Sequence, residues 1–252
     1  MARIPRIHYR SWDQYKHDIV PELFGSERFR SGAYLFRGCG DADWTLTTTF
    51  DRRFGSLPAA KRLRLWARML QSFRTACQER GAADSVLRDD TRLLAFGQHH
   101  GLPTRLLDWS LSPYIAAFFA FRQSLLEPDP GGQVAIWVLD SSAHIWSAEL
   151  GVEIVAPPAI ENLRLLNQAG RFTYARTPYL TLEEYVESSQ DAGRPLLQIS
   201  MPRAEALRAL PDLEVMGVSA HHLFPDMAGL SEGVALSVQL EAASDDLLAA
   251  AR

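Results

Sequence analysis

A strand-like segment that carries an arginine is the first candidate for chemistry. Residues 33–37 are short, apolar and rich in strand formers, and Gly38, Gly40 and Asp41 then break the pattern. We therefore predict a strand with Arg37 at its end. A guanidinium in that place can hold a phosphate or a carboxylate, and Gly38 would let a ligand approach the backbone. Surface arginines at strand ends are common, so this segment alone is a weak signal.

The segment Gly97–Pro113 is dense in side chains that make polar contacts. It lies between a predicted helix and a predicted strand, where loops often carry function. Neighbouring histidines suggest a general base or metal ligands, but the i, i+4 spacing of helical metal pairs is absent. In a purely structural interpretation, Arg105 and Asp108 pair with each other inside a buried loop. The candidate residues of this segment are His99, His100, Arg105, Asp108, Trp109, Ser110 and Ser112.

A third polar segment follows in residues 167–173, where a predicted helix ends, Gly170 turns the chain and a strand begins. Gln168 would present its amide at the edge of that strand. The alternative is that this stretch is a helix C-cap without chemistry.

The apolar periodicity predicts the elements that position these segments. We expect an α+β fold in a single domain, with a helical insertion between the first strand and the Gly97–Pro113 segment. Ser112 and Pro113 are typical of a helix start. The predicted helices are 12–24, 58–80, 89–98, 114–122, 158–167, 182–188 and 203–210, and the predicted strands are 33–37, 105–109, 134–139, 171–176, 195–201 and 234–240.

Composition narrows the class of protein. With 47% hydrophobic and 22% charged residues, the 252-residue chain is expected to fold as one globular domain. A net charge of -4 disfavours general nucleic-acid binding. Two cysteines, Cys39 and Cys77, cannot form a disulfide framework, which favours a reducing compartment. No apolar run reaches the roughly 18 residues of a membrane span or resembles a signal peptide, so we expect a cytoplasmic protein without membrane contact.

The segments occur in the order that the FRG domain family shows, and the sequence resembles that family over roughly residues 30–235. The central motif, residues 97–109, is long enough to be highly specific. The resemblance divides the chain into a helical lead-in (1–29), an FRG domain (30–240) and a C-terminal tail (241–252). It implies a bacterial or phage-encoded component of a toxin or antiphage defence system, with a regulatory or defence-system partner. The residues that carry it are Phe36–Gly38, Gly97–Pro113 with Ala116, Phe118, Phe119 and Ala120, residues 168–173 and residues 223–230.

The order of the motifs also resembles that of ADP-ribosyltransferases, whose fold holds NAD in a cleft between two small sheets. In those enzymes a first strand carries Arg-Gly, which Arg37 and Gly38 match. A second strand ends in serines and leads into a helix, as residues 108–113 do here. The third motif normally carries a glutamate, whereas this sequence has Gln168.

The resemblance implies a set of roles around NAD as substrate. Arg37, Gly38 and Arg105 would hold the dinucleotide, Ser110 and Ser112 would support the pocket, and Trp109 or Phe172 would stack on nicotinamide. Glutamine can bind the ribose 2′-hydroxyl but supplies no charge for the oxocarbenium-like state. A nearby carboxylate would therefore assist Gln168, and a histidine would act as general base. The carboxylate candidates are Asp108, Asp226 and Glu161, and the base candidates are His99 and His100.

Three functions stay open at this level. The first is an ADP-ribosyltransferase or NAD glycohydrolase, with protein, nucleic acid or water as acceptor. The second is a non-catalytic module that recognises a nucleotide or another ligand for a defence system. The third is a metal-dependent hydrolase or nuclease built on His99, His100, Asp108 and Asp226, for which the composition gives little support.

Overall fold

The described residues form one seven-stranded, mostly antiparallel sheet. The computed structural model describes residues 4–25, 32–125, 131–156, 167–189 and 193–250. The strand order is β1-β7-β4-β2-β3-β6-β5, in which only β1 and β7 pair in parallel. The strands are β1 Arg6–His8, β2 Tyr34–Cys39, β3 Leu106–Ser110, β4 Gln133–Asp140, β5 Val152–Val155, β6 Gly170–Ala175 and β7 Leu196–Pro202.

Helices cover the sheet and fill the long connection between β2 and β3. The predicted helical insertion is present there as four helices. A short 3-10 turn, Arg203–Glu205, precedes the eighth helix. The α-helices are α1 Trp12–Phe24, α2 Thr49–Phe54, α3 Ala59–Glu79, α4 Asp84–Leu87, α5 Asp90–His99, α6 Pro113–Ser124, α7 Leu182–Ser188, α8 Ala206–Val215, α9 Ala220–Leu223 and α10 Met227–Ala250.

The core has a layer on each face of the central strands. Side chains alternate along a strand, so Phe36 and Ile136 face α6 while Leu35 and Trp137 face the opposite side. The apolar helix α6 is buried almost all round because β2 and β4 lie on one side of it and α1 and α8 on the other. A smaller cluster joins the insertion to β3 and β6 through Trp66, Phe50 and Tyr174.

The sheet is nearly divided in its middle, between β2 and β3. Within the described residues these strands pair only at Phe36 with Ser110, whereas β2 pairs with β4, and β3 with β6, along their lengths. The expected two small sheets with a cleft are therefore corrected to one sheet of two halves, β1-β7-β4-β2 and β3-β6-β5. They separate just beyond Phe36, and we call this opening the gap.

Most predicted elements are confirmed, but the last predicted strand, residues 234–240, is wrong. That segment lies inside helix α10. Its four large apolar residues alternate, which looks like a strand, yet Leu236 and Leu240 pack on the core while Val234 and Val238 are exposed. The two leucines are four residues apart, as are the two valines, which is the spacing of residues on one face of a helix. The apparent alternation therefore arises from apolar residues on two different faces of one helix. The predicted boundary at residue 241 falls within the same helix.

Two other predictions need correction or fall outside the description. Strand β2 continues to Cys39, so Arg37 lies within the strand and not at its end. The predicted helix 158–167 lies outside the described residues, except for Asn167. Strand β1 and helix α2 were not predicted, because three polar-flanked residues and a six-residue helix give little periodicity.

None of the helices in the described residues is long and apolar enough to cross a bilayer.

Candidate functional site

A cavity of about 380 Å³ opens on the α6 side of the gap. Its volume lies within the range of small-molecule sites, and its wall combines aromatic side chains with a few polar groups, as such sites usually do. It is lined by Phe36, Arg37, Gly38, Asp108, Trp109, Ser110, Ala116, Phe119, Arg122, Gln123, Gln168 and Phe224.

Arg37 spans the gap between the two halves of the sheet. If β2 and β3 continued in register, Gly38 would face Asp108. Instead, the Arg37 guanidinium donates to the Asp108 carbonyl at 2.7 Å and lies 3.7 Å from its carboxylate. The Arg37 side chain is 22% exposed and that of Asp108 is 60% exposed, so both groups remain accessible to a ligand.

The central motif holds Asp108 in place. Gln98 donates from Nε2 to Asp108 Oδ1 at 2.7 Å, and the Thr104 hydroxyl donates to Gln98 Oε1. Thr104 is fully buried, and its backbone N–H donates to the Thr49 hydroxyl at 3.0 Å. The chain of contacts fixes the Gln98 amide, so the carboxylate of Asp108 has a defined orientation beside Arg37.

Arg105 has a structural position away from the gap. The predicted Arg105–Asp108 pair is wrong, because Arg105 Nε donates to Asp51 at 2.9 Å and its other nitrogens donate to the carbonyls of Thr177 and Tyr179. Both partners of this ion pair are 1% exposed. This buried ion pair ties α2 to β3, and Arg105 does not line the cavity.

Gly38 serves helix packing more than ligand approach. A β-carbon at this position would collide with the Ala116 carbonyl and lie 2.7 Å from the Ala120 backbone nitrogen. Helix α6 therefore rests directly on the β2 backbone. This contact also brings Phe119 and Gln123, which lie about one turn apart on α6, to the cavity wall.

The aromatic residues at the cavity differ from the ones the sequence suggested. Trp109 reaches the wall but is 3% exposed, and its indole donates to Thr173 at 3.0 Å in the core. Phe172 is buried in the cluster of the insertion helices. Phe119 and Phe224 instead line the cavity as an edge-to-face pair with centroids 5.9 Å apart.

Arg122 is a further cation that the sequence analysis did not select. It lies over the Phe224 ring and pairs with Glu232 of α10, and burial lowers its pKa. In the sequence, Phe224 belongs to the last motif, and Phe119 and Arg122 belong to the predicted helix that became α6. The sequence did not indicate which of these side chains would line a cavity.

The serines and Gln168 close the end of the cavity. The Ser110 hydroxyl donates to the Gln168 carbonyl at 2.8 Å and accepts from the Ser112 backbone. Ser112 is the N-cap of α6, as predicted. Ala169 has φ 48°, which turns the chain sharply between Gln168 and β6. Gln168 thus lines the cavity where the resemblance implied a glutamate.

The remaining candidates do not meet at the cavity. His99 and His100 are exposed at the end of α5 with perpendicular rings, and neither lines it. Asp226 accepts from the Gly229 backbone near the start of α10. Glu161 lies outside the described residues. Among the described residues no group of three or more His, Cys, Asp or Glu is arranged to hold a metal ion.

A second cavity, of about 530 Å³, adjoins the first, and the two share Arg37, Gly38 and Gln123. We call it the outer lobe. Burial lowers the pKa of Arg52 in its wall, and the charge of Arg37 lowers it further. Burial raises the pKa of Cys39, so this thiol stays protonated and is a poor nucleophile. The outer lobe is lined by Arg37, Gly38, Cys39, Asp43, Trp44, Thr45, Thr47, Arg52 and Gln123.

These features define an α+β domain with a ligand-sized cleft beside a gap in its sheet. Residues 32–128 match the model of the FRG domain, which supports the resemblance of this segment to that family. The matched segment includes β2, the helical insertion, β3 and α6, which supply most of the cavity wall, and ends before Gln168 and Phe224. No curated protein and no solved structure matches the chain.

Proposed function

We propose that this FRG domain binds NAD in the cleft and cleaves the bond between nicotinamide and ribose. The observation that carries the proposal is the Arg37–Asp108 pair, held across the gap with both groups accessible. A cation for phosphate and a carboxylate for developing positive charge, side by side in a cleft, are what this cleavage needs.

The first cavity suits the nicotinamide ring and the ribose that carries it. Phe119 and Phe224 offer an aromatic wall for a flat heteroaromatic ring, and Arg122 lies over the far ring. Gln168, which lines the cavity, would hydrogen-bond a ribose hydroxyl. Among the described residues that line this cavity, Asp108 supplies the carboxylate. It would stabilise the positive charge on the ribose, which the neutral amide of Gln168 cannot do.

The chemistry follows from these groups. The bond between ribose C1′ and the nicotinamide nitrogen breaks, and its electron pair goes to the ring, which leaves as neutral nicotinamide. The carboxylate of Asp108 stabilises the positive charge that develops on the ribose. A lone pair of water or of an acceptor then forms the new bond at C1′, and its proton passes to solvent. Transfer to a protein or nucleic acid would fit a toxin or defence effector with a partner, as the FRG resemblance implies.

One observation favours a second candidate, a recognition module without chemistry. Gln168 replaces the glutamate of the third motif, and Asp108 is already partly neutralised by Arg37. Such a module would bind NAD or a related nucleotide, and the nicotinamide bond would stay intact.

The test is nicotinamide release from NAD, with and without cell lysate, by the wild-type protein and by Arg37→Ala and Asp108→Asn. We expect each variant to lose about 100-fold or more of the rate, since each removes charge stabilisation of the transition state. Both side chains are accessible, so the variants should keep the wild-type circular dichroism and melting temperature.

Arg92→Ala is the matched control, because Arg92 is a surface arginine paired with Asp89 on α5. It should release nicotinamide at the wild-type rate. Full activity of Arg37→Ala would contradict the assignment. Binding of NAD by the wild type without any nicotinamide release would support the recognition module instead.

A further inference from the structure

The outer lobe contains three kinds of group that the proposed cleavage does not use. They are an exposed indole, a carboxylate and a second guanidinium beside Arg37. We propose that the outer lobe is a nucleoside diphosphate site, which takes the ADP half of the dinucleotide. This inference rests on the proposed function for its ligand, but it makes a separate prediction for ADP itself.

Arg52 supplies the first argument. Among the described residues it pairs with no carboxylate, and its guanidinium donates to the Thr47 carbonyl at 3.0 Å. Arg37 and Arg52 both line the outer lobe, so two cations face the same cavity, and burial together with the charge of Arg37 lowers the pKa of Arg52. Like charges are held close at a cost, which an anion between them removes. A diphosphate carries the charge and the oxygens to contact both guanidinium groups.

Trp44 supplies the second argument. It is 40% exposed, whereas Trp12, Trp66, Trp109 and Trp137 are buried in the core. A large ring that lines a cavity and stays accessible is a stacking surface for a base. Asp43 lies beside it in the same wall and can accept hydrogen bonds from ribose hydroxyls.

The loop that carries these groups is fixed from both sides. The backbone N–H of Leu46 donates to both oxygens of Glu183 at 2.9 and 3.1 Å, and Thr47 pairs with Thr181. At the other end, Gln198 donates to the Ala42 carbonyl at 2.8 Å. A binding surface held in this way loses little freedom when a ligand binds.

Geometry also sets the direction of the ligand. Arg37, Gly38 and Gln123 belong to both cavities, so a molecule that fills both must pass Arg37. The diphosphate is the part of NAD that joins its two nucleosides. Nicotinamide riboside in the first cavity and adenosine in the outer lobe would place the diphosphate beside Arg37 and Arg52.

The experiment is calorimetric titration of ADP into the wild-type protein, Trp44→Ala and Arg52→Ala. We expect ADP to bind the wild type and to bind each variant about tenfold more weakly. Arg53→Ala is the control, since Arg53 is the exposed neighbour of Arg52 on α2 and does not line the lobe. It should bind ADP within about twofold of the wild type, and Trp44→Phe should recover much of the affinity that Trp44→Ala loses.

The same variants are assayed for nicotinamide release. Raised KM for NAD with little change in kcat in Trp44→Ala and Arg52→Ala supports the inference. Release of nicotinamide with unchanged KM in both variants would overturn the inference and leave the proposed function standing. Binding of ADP through Trp44 and Arg52 without nicotinamide release would support the inference and overturn the proposed cleavage. Failure of ADP to bind the wild type would overturn the inference directly.

Discussion

Gln98 shows how the conspicuous motif works at the scale of single residues. Its amide accepts from Thr104 and donates to Asp108, so a glutamine at the end of a helix orients a carboxylate on a strand. Its neighbours His99 and His100 have the more familiar catalytic side chains, yet neither lines the cavity. Gln98 and Thr104 therefore supply the support of the motif for Asp108 beside Arg37.

A glycine at position 38 has a measurable role at the same scale. We expect Gly38→Ala to lower the free energy of unfolding by about 1–3 kcal/mol, because the new methyl group would push α6 off the β2 backbone. Urea unfolding measures the difference. The same substitution at Gly233, where α10 leaves room for a methyl group, should raise stability by about 0.5–1 kcal/mol. Equal effects at the two positions would contradict this explanation.

The sequence identified several cavity residues but not their partners. Arg37, Gly38, Asp108, Ser110 and Gln168 were selected from motifs, and all of them line the cavity. The Arg105–Asp51 pair escaped prediction, since its members lie 54 positions apart and meet only when the insertion folds onto β3. Phe224 was likewise placed in a motif without any sign that it packs against Phe119.

At the scale of elements, the loop from Asp41 to Thr48 depends on helix α7. Glu183 lies in the first turn of α7 and accepts two hydrogen bonds from Leu46. Burial raises the pKa of this carboxyl above its ordinary value of 4.5, against the opposing effect of the Leu46 hydrogen bonds. The outer lobe is thus linked to a titrating group that lies behind it.

The sign of the resulting pH dependence is fixed. A raised pKa means that the folded protein binds more protons than the unfolded chain, so this contribution is complete below pH 4.5 and is lost as pH rises through the raised value. We expect the stability of the wild type relative to Glu183→Gln to fall over that window. Urea unfolding at a series of pH values measures it, with Glu187→Gln as a control for loss of one exposed charge. Parallel curves for wild type and Glu183→Gln would contradict the assignment.

The apolar pattern of the sequence predicted most of the longer elements well. Helices α1, α3, α5 and α6 and strands β3, β4, β6 and β7 were all expected close to their observed bounds. It failed for α10, whose exposed Val234 and Val238 imitate a strand pattern. Sequence patterns record which residues are apolar, and an apolar residue that stays exposed misleads them.

At the scale of the whole molecule, one topological feature brings the site together. Strands β2 and β3 are neighbours in the sheet but are separated in the chain by the helical insertion. Their single paired position leaves the gap, Arg37 bridges it, and the two cavities meet there. No pattern along the sequence could predict this opening, because it depends on the register and direction of two distant strands.

The most direct test of the account is a crystal structure of the protein with a carbocyclic NAD analogue that cannot be cleaved. We predict nicotinamide against the aromatic wall of Phe119 and Phe224, the diphosphate on Arg37 and Arg52, and the ribose bearing nicotinamide within reach of Asp108. An analogue bound elsewhere on the protein, with the gap unoccupied and Arg37 free of phosphate contacts, would contradict the central claim.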